Sequence, residues 1–247
     1  NGDGDLSDRV DVINLSLGSP YGALDDTTTL AAENAAAAGV VVVASAGNSG
    51  DTTYVVGSPS VGGQTISVAA GDTGVASFSA RGPRRADGAL KPDLAAPGVG
   101  VFTAAGGTGN GGRSSSGTSF AAPYVAGGMA LLRQIYPNWT PLELKALAMN
   151  SAQPLLLGYN EAGRGAESPV RIGAGRVNLA RAASATVLAV NAQAPELVSL
   201  SFGAPEVQGL ASLQRNLRIF NKGAQDTRLT LTYGPVTTAP GVTVTLP

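Results

Sequence analysis

The sequence predicts an α/β protein with a mostly parallel sheet, followed by an antiparallel region that reads as part of a β-sandwich. Three observations carry this prediction. Short, continuously apolar, β-branched runs such as VVVVA (residues 40–44) alternate with Ala-rich helical stretches, the pattern of strands buried on both faces. Glycine-containing loops follow those runs, where open α/β sheets place their sites. Past about residue 190 the texture changes to apolar and polar residues in alternation, which is period two.

Taken in order, residues 10–18 (VDVINLSLG) predict a strand entering a turn. Asp25 and Asp26 precede an Ala-rich stretch that runs to Ala38, with Gly39 behind it, so a helix with acidic N-terminal caps and a glycine stop is expected. With the strand at 40–44 this makes a βαβ unit. Further strands are expected at 65–69 and 100–104, separated by SFSARGP and KPDLAAPG, whose Pro and Gly mark turns. Residues 106–117 are Gly, Ser, Thr, Asn and Arg and read as a loop. A helix follows over 119–135, with Pro123 placed in its first turn, where a missing N–H is tolerated. Thr140 and Pro141 start another helix to about Ser151, and GAGRVNLARAA (173–183) ends in a short helical piece. The segments LVSLSF, LRIFN and TRLTLTY then read as antiparallel strands.

Composition narrows the chemistry. The 247 residues carry 16 Lys and Arg against 17 Asp and Glu, a formal charge of −1, which makes nucleic acid an unexpected partner. No apolar run approaches the roughly 20 residues of a membrane span. Zero Cys excludes disulfides and thiolate chemistry, and zero His excludes any imidazole base or ligand from this chain.

The strongest motif is GTSFAAPYVAG, residues 117–127. A serine where a Gly-rich loop becomes a helix is exposed at a sharp turn, next to the positive end of the helix dipole. Spacing alone leaves an ordinary Ser N-cap equally open. The motif resembles the nucleophile segment of the subtilisin-like serine peptidases, the subtilases. VINLSLG resembles their substrate-binding strand, VVVASAGNSG their oxyanion loop, SFSARGP and LKPDLAAPG their connecting segments, and GAGRVNLARAA their domain end. Tyr124 stands where the family usually has a His that is not the catalytic one.

The resemblance implies a three-layer catalytic domain lacking its N-terminal part at residues 1–188, and the opening of a fibronectin-III-like sandwich at 189–247. It implies Ser119 as nucleophile and Asn48 as oxyanion-hole donor. Ser16, Leu17 and Gly18 match one wall of the primary specificity pocket, Ala46 and Gly47 the other, and Gly57 its floor. A glycine floor leaves volume, so a large apolar or aromatic residue is expected before the scissile bond. As ordinary sequence features, Asn48 also reads as a turn residue and the glycines as turn makers.

The implied activity is endopeptidase cleavage of polypeptides through an acyl-enzyme on Ser119, outside the cell. The family's triad Asp and His lie upstream of a segment like VINLSLG and are absent here, so the chain alone is expected to be inactive and to need the missing N-terminal part as partner. No cofactor is required. A structural calcium ion is an open expectation at Asn1, Asp3 and Asp5, whose oxygens alternate, against the plainer reading of a solvated acidic turn. Arg81, Arg84, Arg85 and Lys91 read as a solvated basic face. The competing functions are a catalytically dead peptide-binding module and a cell-surface scaffold.

Overall fold

The computed structural model describes residues 4–153, 157–160, 163–235 and 240–246. At its centre is a four-stranded, wholly parallel sheet in the order β1 (Val12–Leu15), β2 (Val41–Ser45), β3 (Ile66–Ala70), β4 (Leu94–Ala96). Its register pairs Ile13 with Val42, Val43 with Ile66, and Val68 with Leu94. Every residue of β2, β3 and β4 is buried, which is why those stretches are unbrokenly apolar or small.

Alternation along each strand sends side chains to two helical layers. From β2, Val41 and Val43 enter the main core with Val125, Met129 and Leu132 of α2 (Thr118–Ile135) and Leu144 and Leu147 of α3 (Pro141–Asn150). Val42 faces the other way, onto Ala32 and Ala36 of α1 (Thr27–Ala37). At the far side Ala69 and Ala95 pack on Ile172 of the short helix Pro169–Ile172. The expected βαβ unit and three layers are therefore present. Asp26 caps α1 by accepting from Thr28 N and Thr29 N, and Gly39 leaves it at φ +98.

Four details differ from the sequence expectations. The strand that completes the sheet is β4, in the segment read as a turn. Pro92 and Pro97 bracket it so closely that only three residues remain to show a pattern. The strand expected at 100–104 exists as β5 (Val101–Ala104), but it pairs antiparallel with β6 (Gly112–Ser115) in a separate hairpin, and β6 lies in the segment read as loop. Helix α2 begins at Thr118, so Pro123 is its sixth residue and falls beyond the first turn.

The last difference concerns the C-terminal region. LRIFN is a strand (Leu217–Asn221), paired antiparallel with Val187–Asn191, whose Leu188 and Val190 join the main core. LVSLSF and TRLTLTY form no strands among the described residues: Leu197 ends a short 3₁₀ turn and Val198, whose carbonyl accepts Asn191 N–H at 2.9 Å, joins the main core, while Phe202, Leu229, Leu231 and Tyr233 are exposed. Alternation alone does not make a strand without a ladder partner. No helix among the described residues is long and apolar enough to cross a membrane.

Candidate active site

Because β1 and β2 are parallel neighbours, the loops leaving them, which carry Ser16 and Asn48, emerge on the same edge of the sheet. The α2 N-terminus meets that edge and brings Ser119 there. A cleft of about 230 Å³ opens between them, lined among others by Ser16, Leu17, Gly18, Asn48, Gly57 and Ser119. Gly47 and Ser49 also line it, so all but one of the residues assigned to catalysis and the pocket from sequence meet in one place. The exception is Ala46. It is fully buried behind the wall, where its carbonyl accepts Gly57 N–H at 3.1 Å.

Asn48 reaches across to the start of α2. Its Oδ1 accepts from Thr118 N and from Thr118 Oγ1, both at 2.9 Å. An amide N–H only donates, so the atom facing Thr118 is the oxygen and Nδ2 is left as a donor on the other side. Gly117, the N-cap residue, supplies no side-chain cap, and Asn48 takes that role from a distant loop. Thr118 Oγ1 is held in turn by Gly47 N–H at 3.2 Å, and Thr118 is fully buried. Thr118 thus sets the orientation of the Asn48 amide. The sequence alone does not single it out, although it immediately precedes the serine.

Ser119 is half-buried, with its N–H in the first turn of α2, among the amides that lack a helical acceptor. Its Oγ donates to Ser16 O over a long 3.4 Å. The Ser16 hydroxyl donates to Ser119 O at 2.8 Å, and Asn14 Nδ2 donates to Ser16 Oγ at 3.0 Å. Gly18 and Gly57 flank an antiparallel bridge between Ser19 and Ser58. Ser19 N donates to Ser58 O at 3.2 Å and Ser58 N to Ser19 O at 3.0 Å. A Cβ on Gly57 would collide with Ser19 O, and one on Gly18 with Ser58 O. Both glycines are therefore required by this close approach as well as lining the cleft.

Downstream of Asn48, the loop is fastened from outside. Asp51 receives Arg171 Nη1 at 2.8 Å and Arg81 Nη1 at 3.0 Å. Gly50 N donates to Phe78 O at 2.8 Å.

Of the suggested calcium ligands, Asn1 and Asp3 lie outside the described residues. Asp5 accepts from Ser7 N and Ser7 Oγ, both at 2.8 Å, and the Ser7 backbone bond, ahead of the hydroxyl, holds its carboxyl below the usual aspartate range. Among the described residues no cluster of three His, Cys, Asp or Glu side chains could hold a metal. The basic cluster is not a solvated face throughout. Lys91 is fully buried on Asp93 at 2.7 Å. Arg84, also buried, donates to Val61 O at 3.0 Å. Their charges are met by carboxylates close in sequence, Asp93 for Lys91 and the part-exposed Asp87 for Arg84.

A sequence profile described as the subtilase family matches residues 4–204. Among curated relatives, the Arabidopsis thaliana subtilisin-like protease SBT4.14 is 38% identical over 122 residues, covering 44% of this chain and 16% of the relative. The subtilisin-like protease SBT3.11 of the same plant is 46% identical over 85 residues, covering 32% and 11%. This chain therefore matches less than a fifth of the length of either. Among solved structures, the prenylagaramide maturation protease PagA superposes with a TM-score of 0.57 at 27% identity, covering 71% of this chain and 61% of that one. A protease from Pseudoalteromonas arctica gives 0.57 at 29% identity, with 72% and 52% covered.

Proposed function

The chain belongs to the subtilase family, and from that premise we propose that it carries the nucleophile, oxyanion and substrate-pocket half of a serine endopeptidase site. Serine peptidase chemistry is what its relatives share. The single observation that carries the finer assignment is the meeting of Ser119 and Asn48 in one open cleft, with the Asn48 amide oriented by Thr118.

In this reading Ser119 Oγ attacks the carbonyl carbon of a peptide bond. The oxygen that becomes negative is met by two donors, Asn48 Nδ2 and Ser119 N–H, in a site where neither must reorganise. The tetrahedral centre collapses, the C–N bond breaks as the leaving amine takes the proton that left Oγ, and an acyl group remains on Oγ until water releases it. Among the described residues the Ser119 Oγ bonds only the Ser16 carbonyl, and the sequence contains no His to take its proton. We place that base, and the carboxylate that orients it, in a segment outside these 247 residues. By itself the chain retains only what oxyanion binding supplies, on the order of 10³ to 10⁴ over water. Backbone groups at residues 16–18 suit an extended substrate added as a strand, and the cleft that Gly57 lines is proposed to take a large apolar side chain. Secretion, and a fibronectin-III-like module starting near residue 189, belong to the same proposal; the antiparallel pairing of Leu217–Asn221 with Val187–Asn191 supports the latter.

The test uses the 247-residue chain and peptidyl fluorophosphonates bearing Phe, Glu or Lys next to phosphorus, with and without added imidazole as external base. The expected result is imidazole-dependent labelling at Ser119, fastest for the Phe probe, abolished in Ser119→Ala and slowed at least tenfold in Asn48→Ala. Labelling unaffected by Ser119→Ala, or none at Ser119 with imidazole present, overturns the peptidase reading. Preference for the Glu or Lys probe overturns the pocket assignment.

A further inference from the structure

In an α-helix the carbonyl of residue i accepts the N–H of residue i+4. Proline has no N–H, and Pro123 stands four residues after Ser119 inside α2. The Ser119 carbonyl therefore lacks its i+4 partner. This is not the harmless case of a proline in a first turn, because Pro123 is the sixth helical residue and the lost bond belongs to the helix interior.

The partner comes instead from 103 residues away in sequence. Ser16 Oγ donates to Ser119 O at 2.8 Å, the length of a good O–H···O bond. A hydroxyl has a single hydrogen to give, and Ser16 gives it here. Its acceptor side is taken by Asn14 Nδ2 at 3.0 Å, which fixes the rotor. Asn14 lies in β1 and Ser16 directly follows that strand, so the chain of bonds runs from the sheet into the helix turn that carries Ser119. Ser119 Oγ returns a weak bond to Ser16 O at 3.4 Å.

We propose that the Ser16 side chain is a positioning residue for Ser119: its hydroxyl replaces the hydrogen bond that Pro123 removes and holds in place the backbone from which the Ser119 hydroxyl projects. This rests on Ser119 being the nucleophile, and it gives Ser16 a task separate from its main chain, which lines the substrate cleft.

The logic has a specific signature. If Ser16 substitutes for a missing amide, restoring the amide makes Ser16 dispensable. The experiment measures the dissociation constant of a peptide boronic acid with Phe at the boron position for the full chain and for Ser16→Ala, Ser16→Thr, Pro123→Ala and the Ser16→Ala/Pro123→Ala double variant. The Ser119 carbonyl ¹³C resonance is followed in each. The expected result is a roughly three- to tenfold loss in Ser16→Ala, the size of one net hydrogen bond, recovery in Ser16→Thr, and less than about a twofold loss when Ser16→Ala is made on Pro123→Ala. The ¹³C resonance shifts with Ser16→Ala only where Pro123 is present.

Equal losses on both backgrounds, or no loss on either, overturn the proposal. Should the unsubstituted chain bind no boronate at Ser119, the peptidase reading fails by itself. The ¹³C arm then still decides whether Ser16 stands in for the missing amide: a shift confined to the Pro123 background supports it, and any other pattern overturns it.

Discussion

Lys91 and Lys145 are fully buried and share one carboxylate oxygen, Asp93 Oδ2, at 2.7 and 3.3 Å, while Asp93 Oδ1 has no hydrogen-bond partner among the described residues. Backbone carbonyls complete the cage. Lys91 donates to Thr65 O at 3.0 Å, and Lys145 to Gly63 O and Glu196 O. Two buried ammonium groups against one carboxylate is an excess of charge in a medium that solvates it poorly. Burial, with Lys145 and Arg84 adding repulsion and Asp93 opposing them, pushes Lys91 down from 10.5 to about 7. In the unfolded chain Lys91 returns to the ordinary lysine value, so between pH 7 and 10.5 the unfolded state binds more protons than the folded one. Stability from this group is complete above pH 10.5, falls as pH drops and is lost by about pH 7. The unfolding free energy obtained from urea titration is therefore expected to rise between pH 7.5 and 9.5, by up to about 1.4 kcal/mol per pH unit, and Lys91→Met should remove that rise. A flat profile in the unsubstituted chain would show that Lys91 keeps its proton. None of this was legible at the level of the motif, because KPD reads as a polar turn until the fold seals it.

At the scale of elements, helices were the most readable parts because their signals are local. Thr140 Oγ1 accepts from Glu143 N at 3.2 Å and Glu143 Oε2 accepts from Thr140 N at 2.8 Å, the reciprocal capping box that the TPLE stretch announces. Thr140→Ala should cost about 1 kcal/mol, measured by urea unfolding, and no change would mean that packing of α3 alone holds its first turn. Strands were less readable in proportion to their length. Five buried residues made β2 plain, whereas the three of β4 between prolines carried no period to read. The hairpin of β5 and β6 was half seen, since Gly and Ser are permissive in a loop and in a ladder alike. The site followed the same division. Ser119 and Asn48 stood out as motif residues, but Thr118, which orients Asn48, and Asn14, which holds Ser16, carry no signal until distant loops are brought together.

Across the whole molecule, burial is uneven. The sheet interior is sealed between α1 on one face and α2 with α3 on the other, yet β1 ends the sheet with nothing paired to its outer edge among the described residues. On α2, Tyr124, Leu131 and Ile135 recur at intervals of seven and four and form an exposed apolar stripe. An open strand edge together with an apolar helix face favours self-association. Sedimentation velocity of the 247-residue chain is expected to show concentration-dependent association, reduced by Leu131→Glu with Ile135→Glu. A chain that remains monomeric at high concentration would mean that those surfaces are too small or too divided to pair.

Read alone, the sequence determined the class of fold, the order of the first strand, helix and strand, and the two side chains proposed for chemistry, because burial on two faces and helix capping are written in neighbouring residues. It also determined that no imidazole comes from this chain. Only tertiary structure decided which short segment closes the sheet, where two buried lysines find their single carboxylate, and which hydroxyl answers the carbonyl that Pro123 leaves unpaired. Each of those depends on groups tens of residues apart meeting where water is excluded, and the need to satisfy every buried polar atom is a constraint of the folded state that no local window of residues contains.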